Sequence, residues 1–364
     1  MIHQEILYRD FHAFDTSISE DINDEEFCYS AEEKTESRWI PFLSFPVTQT
    51  CNFHCEYCGN GGEATASSNV MIDPSFIAKL VPIAIDKGIR KFRITGGEPF
   101  THKEIGKILA IFNDCCCFTL INTNGSLISK NLEIIRSLNS NIKFAVSLDT
   151  LIPSKLKQIS GYTRHSDIIE GIRLLKECGL LLRLNMVVTK RNISEVYDII
   201  SFCNELHCDL KLLDVVSVPV PFGSRQSIYQ EISSLEKGFA EKCDEILSHE
   251  YTRGFGTPCR RYKFGNTFVT IKNSTKGSHY DINGLNPICK GCPYFPCHEG
   301  LYDLFALADG RICSCRWTEK QMSASASEQM DYLINAFRKS IFVRKENNFD
   351  MKIRHDLEKD TDIS

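Results

Sequence analysis

Between residues 40 and 216, short apolar runs alternate with amphipathic stretches of helical spacing, and that alternation restricts the segment to a parallel α/β sheet. The spacing predicts strands over 40–47, 91–95, 116–122, 142–147, 181–188 and 209–216, with helices over 73–87, 103–113, 131–138, 167–178 and 193–206. Asp73 and Pro74 are a cap and a first-turn residue, and Gly88 is a stop. In the 167–178 stretch Ile168, Ile172 and Leu175 share one face and Gly179 ends it. Six strands separated by five helices imply a parallel sheet with right-handed crossovers. Past Pro221 the rhythm fades into a helix over 231–250, a Gly- and Cys-punctuated stretch over 254–317, and a helix over 327–344. The chain divides on this reading into an acidic extension (1–38), an α/β core (39–225), a cysteine-rich domain (226–345) and a polar tail (346–364).

Composition narrows the class. With 42% hydrophobic and 24% charged residues the chain is neither disordered throughout nor a rod, and a net charge of −5 gives no support for nonspecific nucleic-acid or anionic-membrane binding. The first fifteen residues, interrupted by Glu5, Arg9, Asp10 and Asp15, hold no apolar signal core, and no apolar run approaches the ~20 residues that span a bilayer. We therefore expect a cytoplasmic protein with neither nucleic acid nor membrane as partner. Seventeen cysteines in such a setting point to metal ligands and buried thiols before disulfides.

Three of them form a compact run. Cys51, Cys55 and Cys58, in CNFHCEYCGNGG, follow the first strand, at the sheet end where parallel α/β folds place their sites. Three thiolates on one loop can hold three irons of a 4Fe-4S cluster and leave the fourth open to an outside molecule. The alternatives are zinc or three buried thiols. Structural zinc takes four ligands, usually as two separated pairs, whereas this loop supplies three with His54 interleaved. Phe53 and Tyr57 can shield such a site, and Gly59, Gly61 and Gly62 let backbone pass close to it. FRITGGEPF puts Gly96, Gly97, Glu98 and Pro99 at the end of the second strand, where the glycine pair exposes backbone groups to a ligand and Glu98 can accept from an ammonium.

CNFHCEYC and ITGGEPF at successive strand ends resemble the radical S-adenosylmethionine (SAM) superfamily over residues 40–216. The resemblance implies a partial (β/α)6 TIM-like barrel whose SAM-binding cluster takes the amino and carboxylate groups of SAM at its open iron, and one electron that cleaves the sulfonium C–S bond to a 5′-deoxyadenosyl radical. It also implies a donor such as flavodoxin or ferredoxin. Thr123, Asn124 and Gly125 in INTNG, Ser147 and Asp149 in SLD, and Asn185 in RLNMVVTK fall where the family contacts SAM or substrate; their plain reading is strand-end polarity. Asp214 has a similar place at the sixth strand's end.

Cys259, Cys289, Cys292, Cys297, Cys313 and Cys315 make a second group, open to iron-sulfur or zinc on spacing alone. Their order around ICKGCPYFPC and ADGRICSC is similar to the auxiliary-cluster region, of twitch or SPASM type, of the molybdopterin-precursor GTP cyclase (MoaA) group. That likeness implies a second 4Fe-4S cluster on Cys289, Cys292 and Cys315, with Cys313 or Cys297 as competitor or fourth ligand. The group's triphosphate-binding arginines fall at Ser44 and His102 and near Asp303 and Phe305, and its Gly-Gly terminus at Asp362, Ile363 and Ser364. Four missing guanidiniums point to a changed substrate, a peptide or natural-product precursor. The alternative is a nucleotide or sugar, for which Lys103, Arg183, Arg260, Arg261 and Arg316 supply a diverged basic pocket; a noncatalytic metal-binding regulator is a third reading. The scattered Cys28, Cys178, Cys203, Cys208 and Cys243 read as small buried hydrophobes, and consecutive Cys115, Cys116 and Cys117 as strand residues pointing alternately to the two faces.

Overall fold

The computed structural model describes residues 42–58, 70–216, 224–247, 259–274 and 303–313, with 328, 330 and 331. The predicted acidic extension, the polar tail and Cys289, Cys292, Cys297 and Cys315 lie outside them.

The alternation appears as β1 (Phe42–Pro46), α1 (Pro74–Asp86), β2 (Lys91–Thr95), α2 (Ile105–Asp114), β3 (Phe118–Thr123), α3 (Leu132–Arg136), β4 (Ile142–Ser147), α4 (Pro153–Ser160), α5 (His165–Glu177), β5 (Leu181–Val187), α6 (Val196–Leu206) and β6 (Asp209–Leu213). Asp73 caps α1 by accepting from Ser75 N at 2.7 Å, and α1 continues through Pro82. Strands β1 to β6 are neighbours in sequence order and all parallel. The parallel sheet is the one that the alternation predicts, and the fold is the TIM-like partial barrel that the resemblance implies.

The sheet also runs on past residue 225. After α7 (Ser224–Ile228) and α8 (Glu236–Lys242) come β7 (Glu245–Ile246), β8 (Cys259–Phe264) and β9 (Thr267–Lys272), with β10 (Asp303–Ala306) and β11 (Ile312–Cys313) further on. Strand β9 lies parallel to β6 and β10 parallel to β1, and the antiparallel β8 and β11 continue the two flanks. Two local readings are corrected. The expected 231–250 helix is a 3-10 turn followed by α8, because Asp244 N and Leu247 N instead donate to Lys263 O and Arg261 O and draw the chain into the sheet edge. The expected start of β3 at residue 116 is also too early: Cys115 caps α2 and Cys116 has φ 54, so Cys115 to Cys117 form a turn, not a strand.

The two sheet faces differ. Leu43, Phe45, Phe92, Ile94, Ile121, Phe144, Val146, Leu184 and Met186 pack outward with Ile77, Leu80, Ile108, Phe112, Ile168 and Ile172 of the helices, in the principal core. The opposite face buries a smaller cluster, Phe42, Phe118, Leu120 and Ala145, with Leu182 against it, and leaves its upper part to polar side chains.

Candidate active site at the strand carboxyl ends

The cysteine loop is docked, not dangling. His54 N and Glu56 N donate to Ser160 O and Ile159 O at 2.7 and 2.8 Å, tying it to the end of α4, a helix the sequence reading did not include. Phe53 stacks on Tyr162 at 4.5 Å between ring centroids. On the other side the loop meets the glycine pair. Gly97 N donates to Thr48 O and Glu98 N to Thr50 O, and a Cβ at Gly96 or Gly97 would stand 2.4 Å from Thr48 O or 2.2 Å from Thr50 O. The glycines therefore serve chain-on-chain packing as well as ligand access.

Glu98 is tied into the fold at this turn. The side chain is fully buried, its Oε1 accepts from Thr123 Oγ1 at 2.7 Å and Phe100 N at 3.1 Å, and its Oε2 from Asn124 N at 2.7 Å. It clamps the ends of β2 and β3 together. Burial pushes its carboxyl up to about 7 against the pull of those three donors. Pro99 is buried at the start of the turn that follows.

Asp149 is likewise committed to the chain: its Oδ2 accepts from Tyr57 Oη at 2.6 Å and its Oδ1 from Val187 N at 2.9 Å. Asn124 donates to Asn52 Oδ1 at 2.9 Å while its own oxygen accepts from Ser126, and Asn52 Nδ2 donates to Ser126 Oγ at 2.8 Å. Asn52 and Ser126 were missed by sequence reading, although their places beside Cys51 and after the Asn-Gly turn were a signal of polar loop contacts. Asn185 accepts from Arg183 Nε at 3.0 Å and stands opposite Ser147 in the sheet. Thus Cys51, Cys55, Cys58, Tyr57, Gly96, Gly97, Glu98, Pro99, Thr123, Asn124, Ser147, Asp149 and Asn185 all gather at the carboxyl ends of β1 to β5. Cys313 lies apart, opposite Phe305 on β10, which is itself opposite Ser44.

The donor set fits an iron-sulfur cluster. Burial raises Cys51 to about 11 and raises Cys55 well above the ordinary thiol value, with Glu98 and the neighbouring sulfur adding at Cys51 and Asp149 and the neighbouring sulfurs adding at Cys55, so the thiolates need a metal's positive charge to form.

A parallel partial barrel with three thiols at its mouth defines a cofactor-dependent barrel enzyme. The profile of the radical SAM superfamily matches residues 45–203. Among curated relatives, the GTP 3′,8-cyclase of Rhizobium etli is 30% identical over 71% of this chain and 75% of its own length. The probable GTP 3′,8-cyclase of Sulfurisphaera tokodaii is 29% identical over 87% of this chain and 96% of its own. Among solved structures, SuiB of Streptococcus suis bound to S-adenosylmethionine superposes with TM-score 0.59 at 19% identity, over 85% of this chain and 70% of that one. The chain belongs to the radical SAM superfamily, alongside the MoaA-like GTP 3′,8-cyclases. Its cofactors are accordingly a 4Fe-4S cluster and SAM, with the second cluster of the MoaA-like group. No helix among the described residues is long and apolar enough to cross a membrane.

Proposed function

We propose that this enzyme acts on an anionic small molecule of the nucleotide class, and that it binds the anionic end on a different wall from the one the missing arginines would have lined. The cofactors supply a 5′-deoxyadenosyl radical that abstracts a substrate hydrogen. Cys51, Cys55 and Cys58 hold the cluster, the strand-end groups seat SAM, and Cys289, Cys292 and Cys315, with Cys313 or Cys297, hold the second cluster.

The observation that carries this reading is a row of cations. Arg183, Lys211, Arg261 and Lys272 alternate with the outward-packed Leu184, Leu210, Leu212, Tyr262, Val269 and Ile271, so they share the barrel's inner face. Arg183, Arg261 and Lys272 are only 5%, 1% and 8% exposed, and Asp209 is the sole acidic residue of β5, β6, β8 and β9. Four cations against one carboxylate make that wall attractive to phosphate or carboxylate groups. On the opposite flank Ser44 and Phe305 are adjacent and neutral, while His102 is spent on a buried contact, its Nε2 2.9 Å from Ile72 O. The curated relatives are named for a nucleotide reaction, which supports the same class. A second reading, a peptide or natural-product precursor, rests on that neutral flank. A cytoplasmic setting and a flavodoxin- or ferredoxin-like donor suit the thiolate ligands.

The test is anaerobic turnover of the cluster-loaded enzyme with SAM and reductant, measuring 5′-deoxyadenosine with and without guanosine triphosphate. Stimulation by the nucleotide, with a ~10- to 100-fold rise in its apparent KM in Arg183→Met or Lys272→Met, supports the nucleotide reading. Turnover indifferent to nucleotides but stimulated by a peptide supports the second.

A further inference from the structure

The turn between β5 and α6 reaches the cysteine loop by three routes. Arg191 takes the direct one, donating to both oxygens of Glu56 at 3.0 Å across 135 positions of sequence, but that contact is exposed. The other two are buried. Asn192 is fully enclosed and uses its whole side-chain amide: Nδ2 donates to Asp149 O and Val187 O, both at 2.9 Å, and Oδ1 accepts from Thr189 N at 2.7 Å and Thr189 Oγ1 at 3.2 Å. The two carbonyls can only accept and the Thr189 N–H can only donate, so a side chain with both functions is needed here. The Asp149 carboxylate in turn takes Val187 N at 2.9 Å and Tyr57 Oη at 2.6 Å, and Tyr57 stands between Cys55 and Cys58. Glu195 takes the third route. It is 3% exposed, its Oε2 accepts from Thr150 Oγ1 at 2.7 Å and Leu151 N at 2.9 Å, and its Oε1 accepts from Lys155 Nζ at 2.8 Å. It thereby fixes the start of α4, whose last residues, Ile159 and Ser160, receive Glu56 N and His54 N. Asn192 caps the 3-10 turn that Glu195 ends.

We propose that Asn192 and Glu195 are positioning residues for SAM: through Asp149 and through α4 they hold the cysteine loop against the ends of β4 and β5 in the arrangement that SAM binding needs. A buried amide and a buried carboxylate are costly to dehydrate, and here every bond they lost to water is replaced, which makes the turn a rigid support. Iron retention depends on the spacing of three cysteines within one short run. SAM affinity depends on more, because the ligand must meet that loop and the strand ends together. A loop fixed in place beforehand spares binding the cost of ordering it, so loosening either support weakens SAM affinity while leaving iron content in place. Both residues act on the cofactor side, and the nature of the substrate does not enter.

The experiment titrates SAM calorimetrically into the unreduced, cluster-loaded enzyme without oxygen, so that binding is read without turnover. Asn192→Ala should bind SAM ~10-fold more weakly, the equivalent of one net hydrogen bond, at wild-type iron per chain. Phe112→Leu, in the core 5.4 Å from the Phe92 ring, controls for lost stability alone and should bind SAM as the wild type does. Glu195→Ala should weaken SAM binding, and Glu195→Gln should restore it, because an amide oxygen still serves Thr150 and Leu151 while half-buried Lys155 turns to water. In a Tyr57→Phe background Asn192→Ala should add less than ~3-fold, since that route is already cut. In the metal-free protein, hydrogen exchange at the His54 and Glu56 amides should quicken in Glu195→Ala and not in Phe112→Leu. Circular dichroism checks that each variant is folded; where Asn192→Ala is not, the two Glu195 variants decide, and equal SAM affinity in them overturns the proposal. So does an Asn192→Ala enzyme that binds SAM as Phe112→Leu does, or one whose full ~10-fold loss persists on top of Tyr57→Phe.

Discussion

Tyr57 and Asp149, 92 residues apart, are joined by a 2.6 Å hydrogen bond from the phenol to Asp149 Oδ2, while Asp149 Oδ1 takes the Val187 amide at 2.9 Å. One carboxylate thus ties the cysteine loop, the end of β4 and the end of β5 into a single unit. Asp149→Ala leaves the phenol of half-buried Tyr57 and the amide of half-buried Val187 without this acceptor, at a cost of up to about 1–3 kcal/mol each. Tyr57→Phe keeps the ring and loses one bond. We expect Asp149→Ala to slow 5′-deoxyadenosine formation by ~10-fold or more and Tyr57→Phe to slow it less. Equal rates in the two variants, at equal iron content, would show that the tie does not position the loop.

The two glycines of the GGEP turn are needed for space, and Gly179 for its backbone angle. A Cβ on Gly97 meets Thr50 O at 2.2 Å, whereas one on Gly179, at φ +69, meets nothing within 4 Å. Gly179→Ala should therefore cost about 1 kcal/mol of left-handed strain and leave turnover intact. Gly97→Ala must push the cysteine loop away from β2 and should cut cluster loading several-fold. Iron per chain after reconstitution separates the two effects.

Phe53 and Arg191 both brace the cysteine loop, with different weight. Phe53 is buried where it stacks on the half-buried Tyr162 ring, so Phe53→Ala should cost about 3 kcal/mol in thermal or denaturant unfolding. Arg191 Nε reaches both oxygens of Glu56 at 3.0 Å but is 45% exposed, and Arg191→Ala should cost under about 1 kcal/mol and fade in high salt.

The parallel α/β alternation was legible because its cues are local: apolar periodicity, Asp73 and Pro74 at one helix start, Gly179 at a helix end. The cysteine triplet and GGEP turn were legible because metal ligation and close packing permit few residue types. What the chain does with the other polar residues was not legible. Glu98 and Asp149 read equally well as ligand contacts or internal ties until the partners 25 and 38 residues or more away, Thr123 and Val187, were in place. The cation row was hidden too, since Arg183 and Arg261 stand on strands 78 positions apart and meet only through β6 and β9. Cys116 was misread because a run of three cysteines fits a strand, while the preceding helix cap bends the chain into a turn.

The clamp at Glu98 carries a pH signature. Its folded carboxyl titrates near 7, above the ordinary 4.5, because it is fully buried. Between those values the folded state holds a proton that the unfolded chain has released, so this group's contribution to stability falls as pH rises through that window. A shift of that size corresponds to roughly 3 kcal/mol, fully felt above pH 7. Asp149, raised by burial to about 6 against the opposing Tyr57 bond, acts in the same direction over a lower range. Glu98→Gln removes the titration but turns an amide N–H toward either Asn124 N or the Thr123 and Phe100 donors, a loss of about 1–3 kcal/mol that does not vary with pH. Denaturant unfolding of the metal-free protein from pH 5 to 8 should therefore show the wild type's advantage over Glu98→Gln shrinking as pH rises. A gap that stays constant or widens would mean that Glu98 is ionised in the folded protein throughout, with its three donors outweighing its burial.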